Sequence, residues 1–342
     1  MNRRYQVPLD DLNTFHIHAL AESMIYLTNL EECKALFADQ NLLEEIHFIG
    51  GGSNILLTED IKGLTVLNQL KGKSVIHETD DEVHVKFMSG ENWHECVLWC
   101  VENNLGGIEN LSLIPGTIGA APIQNIGAYG VELKDVFVTL EAIDVNTGAV
   151  HVFSNAECEF GYRDSIFKHK VKGQYFILSV TLSLSKQHVC HTEYGMIAEE
   201  LQKMGVEKPD IRSVSDAVIK IRSSKLPNPD HIGNAGSFFK NPIVTQEHFQ
   251  SLKIHYPDLP SYPVEEGIKV PAAWLIEHSG PSSNQSWKGY RRGDCGVHER
   301  QALVLVNYGE ASGKEILELS TRIITSVQQR FNILLEREVN VW

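Results

Sequence analysis

Cysteine is scarce and unpatterned in this sequence. The six cysteines, Cys33, Cys96, Cys100, Cys158, Cys190 and Cys295, form no C-x-x-C pair and no zinc-site spacing. That excludes a zinc-ribbon or redox-motif reading and points to reduced, mostly buried thiols in a cytoplasmic protein. Positive charge is also short: 30 Lys and Arg against 44 Asp and Glu leave a net charge of −14. An acidic chain repels polyphosphate backbones, which argues against nucleic-acid binding. It leaves room for a small anionic ligand held by a few local cations. No apolar run approaches the roughly 18 residues that a membrane span requires. The N-terminal stretch MNRRYQVPLDDLNTFHIH has no apolar core, so no secretory signal is expected. Repeats and low-complexity linkers are missing. None of the 15 histidines is assigned a metal, and His298 in GVHERQALVLVN reads as a solvated or satisfied core residue.

What is present is an ordinary globular composition. The chain has 342 residues, 42% of them hydrophobic and 22% charged, enough for two or three cores. EECKALFADQ reads as a helix, EIHFIG as a short strand running into GGSNILL, and LTVLNQL as a second strand. DEVHVKFMSG alternates Val83, Val85 and Phe87 with polar neighbours, the period of a half-buried strand. ENWHECVLWCVENN has helical spacing. TLEAIDVNTGAVHVFS is two strands about an Asn-Thr-Gly turn, and QYFILSVTLSLS is another strand. The polar stretch 186–213 reads as a long loop with a short helix. Two prolines in SSKLPNPD mark a boundary. Beyond it, QALVLVNYG is a strand. GKEILELSTRIITSVQQRF places Ile316, Leu319, Ile323, Val327 and Phe331 on one helical face. NILLEREVNVW closes the chain as a strand, completing a small α/β layer.

Several stretches carry chemistry. Gly50-Gly51-Gly52-Ser53-Asn54 follows a strand and suits either a plain turn or convergence of backbone N–H groups on an anion. It is neither a dinucleotide fingerprint nor a P-loop. IPGTIGAAPIQNIGAYGVE, residues 114–132, is small-residue-rich with a single charge. So many glycines do not suit a core helix, and a solvated linker is more polar. The stretch reads as backbone packed against a large flat ligand or as a collapsed structural loop. GYRDSIFK places Arg163, a planar carboxylate partner, beside Asp164, a surface salt bridge being the plainer reading. In LEREV, strand alternation puts Glu336 and Glu338 on one face, one of them a candidate for a buried acid with a raised pKa. GNAGSFFKNP sets Ser237 between permissive glycines and a phenylalanine pair. It reads as a turn before a buried edge strand, or as a hydroxyl on the floor of an apolar pocket. Ser237 lacks the G-x-S-x-G context of a hydrolase nucleophile.

Taken in order, NTFHIHALAE, GGGSNILL, IPGTIGAAPIQNIGAYG, GYRDSIFK, GNAGSFFKNP and the final glutamate strand resemble the UDP-N-acetylenolpyruvoylglucosamine reductase family over nearly the whole chain. The resemblance implies an α+β fold of the vanillyl-alcohol-oxidase FAD-binding type in two subdomains, 1–70 and 71–224. A C-terminal α/β substrate-binding domain, 225–342, would follow, its last strand packing back on the FAD domain. It implies bound FAD, NADPH as co-substrate, a UDP-sugar substrate, a monomer, and no nucleic-acid or membrane partner.

The resemblance also implies roles. FAD would be cradled by Gly50, Gly51, Gly52, Ser53 and Asn54, and by Pro115, Gly116, Thr117, Gly119, Ala120 and Ala121. Ile123, Asn125, Gly127, Ala128, Tyr129 and Tyr162 would complete the cradle. Hydride would pass from flavin N5 to C3 of the enolpyruvyl group. Arg163 and a protonated Glu338 would bind the carboxylate as charge grows there. Ser237 would protonate C2, with the phenylalanines keeping bulk water out. Tyr194, Lys225, Asn241 and Gln301 would hold the UDP and phosphate part. TEYG in the 186–213 stretch places the chain in the family's long-loop form. The family's terminal L-x-P-E-V and following arginine are changed here to Arg337 and Asn340, which bears on a contact near the cofactor. Another flavin oxidoreductase on the same scaffold, or a silent flavin or sugar-nucleotide binder, is the rival reading. The full set Arg163, Ser237 and Glu338 argues against both.

Overall fold

The computed structural model describes residues 2–38, 45–282 and 284–342. Asp39 and Gln40, the end of the first expected helix, lie outside them. The chain divides into two compact units. One comprises Met1–Val7, Ala21–Gly52 and Ile61–Ser224; the other comprises Pro8–Leu20, Ser53–Asp60 and Lys225–Trp342.

Among its described residues the first unit has two main sheets and a two-stranded pair, Gly127–Ala128 with Val131–Glu132. In the smaller main sheet, strands Leu20–Leu27 and Ile46–Ile49 both run parallel to Ile61–Asn68. Helix Leu30–Phe37 starts at Asn29, whose side chain accepts the Glu32 N–H, and buries Cys33, Leu36 and Phe37. The larger sheet is antiparallel, in the order Val150–Ser154, Phe137–Asp144, Tyr175–Ser185, Glu82–Met88, Lys73–Glu78. Val83, Val85 and Phe87 are all buried, as their alternation predicts. Strand Tyr175–Ser185 is buried on both faces. Phe176 and Leu178 join the core under the small sheet, whereas Ile177, Val180, Leu182 and Leu184 join the larger one. The change of phase has a cause. Glu141 pairs with Ser179 but Ala142 pairs with Ile177, so Leu178 is an extra residue that shifts the alternation.

Helix Trp93–Glu102 packs Trp93, Cys96, Val97 and Cys100 on the core of the larger sheet. The 186–213 stretch contains the short helix expected of it, Gly195–Lys203, but its end is not loop. A 15-residue helix, Ile211–Lys225, begins there. Its polar sequence hides a narrow buried stripe, Ile211, Val214, Ala217, Val218 and Ile221, which meets Ile197 and Leu201. Asp210 accepts the Ser213 N–H at 2.7 Å and caps the start.

In the second unit, helix Gly313–Phe331 opens with a capping box between Ser312 and Glu315 and ends at left-handed Asn332. Its five forecast core residues are buried. It lies against a four-stranded sheet ordered Gly233–Asn234, Leu305–Asn307, Cys295–Val297, Arg291–Arg292. The chain end differs from expectation. Only Asn340–Val341 is strand, and it pairs in parallel with Ile55–Leu56 instead of joining Leu305–Asn307. Residues 333–336 alternate in burial, but the segment 333–339 forms only one isolated strand-type bridge, Phe239–Arg337, among the described residues.

Candidate active site

In the first unit, the glycine-rich run is laid along the chain between strand Glu82–Met88 and helix Trp93–Glu102. Trp93 N–H donates to Gly116 O at 3.0 Å, Ile118 N–H to Glu91 O at 2.9 Å, and Gly119 N–H to Ser89 O at 2.8 Å. The triple glycine meets the same run backbone to backbone. A Cβ on Gly51 would stand 2.9 Å from Gly116 Cα, so a side chain there would force the two loops apart. Gly51, Pro115 and Ile123 are exposed. Asn125 has a different role. It is fully buried and left-handed, and its amide is committed within the fold. It donates to Glu132 Oε2 at 2.9 Å and Gly161 O at 3.0 Å, and accepts from Lys134 N–H at 3.0 Å.

Arg163 reaches this run. Its guanidinium donates to Gly127 O and lies 5.4 Å from the Tyr162 ring centre. Its φ of 54° is one that non-glycine residues rarely adopt, and Tyr129 shares it with φ 50°. Tyr129 packs edge-on against Tyr194, ring centres 5.9 Å apart.

Arg222 was not anticipated. It lies on helix Ile211–Lys225, in a part of the chain beyond the 186–213 stretch to which the sequence reading gave no element, one residue past the buried stripe. It donates to Leu113 O at 3.3 Å and to the Tyr129 phenol. Burial lowers its pKa from the usual arginine value, Tyr129 opposes that, and the charge of Arg163 lowers it further. Burial likewise raises the Tyr129 phenol, against the pull of Arg222. Among the described residues Arg222 has no carboxylate partner. A half-buried cation near a second cation, Arg163, suits a ligand that carries negative charge.

In the second unit, Ser237 is exposed, next to Gly236 with φ 68°. The phenylalanines do not shield it. Phe238 and Phe239 are 0% and 1% exposed, and Phe238 packs edge-on against Phe15 at 6.2 Å. Both are core anchors that fix the backbone carrying the hydroxyl. Phe238 N–H donates to Leu303 O at 2.8 Å, and Glu338 N–H donates to Phe238 O at 2.9 Å. The segments that carry Ser237 and Glu338 are thereby held side by side, with one isolated bridge between Phe239 and Arg337.

The two terminal glutamates separate clearly. Glu336 is 69% exposed and pairs with Lys240, while Glu338 is half-buried. Asn54 ties to the same strand, donating from Nδ2 to Glu338 O at 3.3 Å. Asn340 donates to Asn54 O from its backbone at 3.1 Å and its side chain at 3.0 Å. Arg337 donates to Ser320 Oγ at 2.8 Å and Thr321 Oγ1 at 2.7 Å, fastening the strand to helix Gly313–Phe331. Asn241 accepts the Ala272 N–H at 2.9 Å, and Gln301 accepts from Leu303 at 3.3 Å. Arg163, Tyr162 and Tyr194 thus belong to the first unit, and Ser53, Asn54, Lys225, Ser237, Asn241, Gln301 and Glu338 to the second. Among the described residues, no cluster of three or more His, Cys, Asp or Glu could hold a metal, and no helix is long and apolar enough to cross a membrane.

Comparison with known proteins bears directly on these elements. Residues 23–154 match the FAD binding domain family, and residues 228–342 match the C-terminal domain of UDP-N-acetylenolpyruvoylglucosamine reductase. The curated UDP-N-acetylenolpyruvoylglucosamine reductase of Flavobacterium johnsoniae is 50% identical over 97% of both chains. That of Amoebophilus asiaticus is 48% identical over 100% of this chain and 99% of its own. The crystal structure of the reductase from Thermus caldophilus has the same fold, with a TM-score of 0.67 at 23% identity, covering 100% of this chain and 98% of that one. The chain belongs to the UDP-N-acetylenolpyruvoylglucosamine reductase family.

Proposed function

We propose that this chain reduces UDP-N-acetyl-3-O-(1-carboxyvinyl)-glucosamine to UDP-N-acetylmuramate, with NADPH as reductant and FAD as bound cofactor. It is a cytoplasmic step of peptidoglycan precursor synthesis, on which cell shape and division depend. FAD, when bound, takes hydride from NADPH and supplies it from N5 to C3 of the enolpyruvyl group. The residues present fit that cofactor: Gly50–Gly52, Ser53, Asn54, the 115–129 run and Tyr162 would hold it. The exposed Gly51, Pro115 and Ile123 and the half-buried Arg222, without a carboxylate partner among the described residues, support this.

The chain's own groups then handle the substrate. Arg163 and a protonated Glu338 bind the carboxylate; donors of this kind stabilise the negative charge that develops over C2 and the carboxylate. Ser237 gives its proton to C2; a serine hydroxyl is a weak acid, but it serves a basic carbanion at hydrogen-bond distance. Tyr194, Lys225, Asn241 and Gln301 take the UDP part, Lys225 being a local cation on an acidic chain. Residues 1–70 and 71–224 serve the cofactor and 225–342 the substrate, in a monomer. The net charge of −14 supports the absence of a nucleic-acid partner.

The observation that supports this reading is the backbone bond from Glu338 N–H to Phe238 O, which brings the segment of Glu338 alongside the residue that follows the exposed Ser237. A visible spectrum of the purified protein tests it. A flavin band that bleaches with NADPH and recovers anaerobically with the enolpyruvyl sugar nucleotide is the expected result. Recovery with oxygen alone would favour a different flavin oxidoreductase.

A further inference from the structure

Residues 109–113 form a buried knot just before the glycine-rich run. Leu111 O accepts the Trp93 indole N–H at 3.0 Å, Ser112 Oγ meets Ser215 Oγ at 2.8 Å, and Leu113 O takes the Arg222 guanidinium at 3.3 Å. Asn110, in the middle, is 1% exposed. Its Nδ2 donates to two carbonyls from distant parts of the chain, Tyr129 O at 3.1 Å and His191 O at 2.9 Å. We propose that Asn110 is a positioning residue: it clamps the loop bearing Tyr194 onto Tyr129 and so sets that loop for the sugar nucleotide. The second half of the proposal rests on reading Tyr194 as a substrate contact.

The amide can face only one way. Both neighbours are acceptors, so the flipped amide would set an oxygen against two carbonyls and leave them unpaired in the interior. The chosen orientation leaves Oδ1 buried without a hydrogen-bond partner. Such an atom is costly, which is the mark of a side chain kept for its donor. The loop needs the clamp. Tyr194 is 45% exposed, and its cap of helix Gly195–Lys203 uses no side-chain bond. His188 fastens the start of the loop to Asn104 O at 3.0 Å, and His191 lies nearer the tyrosine. The Tyr129–Tyr194 ring contact at 5.9 Å is therefore preceded by a carbonyl clamp on each partner's segment.

Asn110→Asp and Asn110→Ser test this in the full-length holoenzyme. The first replaces the donor with an acceptor, and the second shortens it. Amide hydrogen exchange of residues 188–194 is expected to rise roughly tenfold, about one buried hydrogen bond's effect. Exchange in helix Ile211–Lys225 should keep its wild-type rate. The KM for the enolpyruvyl sugar nucleotide should rise by a similar factor, while NADPH bleaches the flavin at the wild-type rate. Unchanged exchange at 188–194 in both variants overturns the clamp. Loss of protection across the whole first unit overturns it too, since Asn110 would then serve the fold at large. Tyr194→Phe is measured beside them. If that variant also keeps the wild-type KM, the substrate reading of Tyr194 fails, and the clamp is judged on exchange alone.

Discussion

Glu338 donates its backbone N–H to the carbonyl of Phe238 at 2.9 Å, so the acid lies on the segment that runs beside the one carrying Ser237. The bond fixes the main chain of both segments. Glu338→Gln keeps the shape and a donor but cannot ionise or share a proton. Turnover by the sugar nucleotide should fall by roughly 10²-fold or more, as when one preorganised group is lost, with melting temperature unchanged. A variant with wild-type turnover would remove the acid from the site.

Arg222 gives a prediction of opposite sign for stability and binding. A half-buried cation without a carboxylate costs the folded state. Arg222→Met should leave the FAD-free protein as stable as wild type, or more so. Its FAD affinity should drop by roughly 10- to 100-fold, the range for hydrogen bonds to a charged group. Thermal melts and a flavin fluorescence titration separate the two. Lower stability with unchanged affinity would make Arg222 a purely structural residue.

The departures at the chain end have structural roles. Asn340 replaces an arginine of the family pattern and zips its strand to Asn54 through two bonds. Asn340→Ala removes the side-chain bond and should cost about 1 kcal/mol, read as a lower denaturant midpoint with an unchanged slope. No change in midpoint would show that the backbone pairing with Ile55 suffices.

One surface cluster should make stability depend on pH. His18 lies between Asp10 and Glu310, its Nε2 3.1 Å from Glu310, and its pKa is raised above 6.5 chiefly by the hydrogen bond to Asp10. A raised folded pKa means the stabilisation is complete below the unfolded value and fades as pH rises through the folded one. His18→Ala should therefore lower the melting temperature at pH ~6 and lose its effect by pH ~9. An equal deficit at both pH values would contradict the assignment.

Legibility in the sequence followed physical cause. Helix Gly313–Phe331 and strand Glu82–Met88 were readable because each shows one face to a core, and one-sided burial writes a period. Helix Ile211–Lys225 was missed because its stripe uses small residues, Ser215 and Ala217, between charges. The final strand was overcalled because alternation reports burial: residues 333–336 alternate, yet the segment 333–339 forms only one isolated bridge among the described residues. The phenylalanines beside Ser237 were read as a water barrier, yet a core anchor and a pocket wall have the same composition. Arg222 and Asn110 left no motif, since their roles come from contacts across more than a hundred residues and across 81 residues respectively.

The most direct test of the central claim is a stopped-flow comparison of wild type and Ser237→Ala. NADPH should bleach the flavin of both at the same rate. Recovery with the enolpyruvyl sugar nucleotide should be slower in the variant by at least the roughly 10²–10⁴-fold of a single acid–base group. Recovery at the wild-type rate would contradict the assignment of Ser237 as the proton donor.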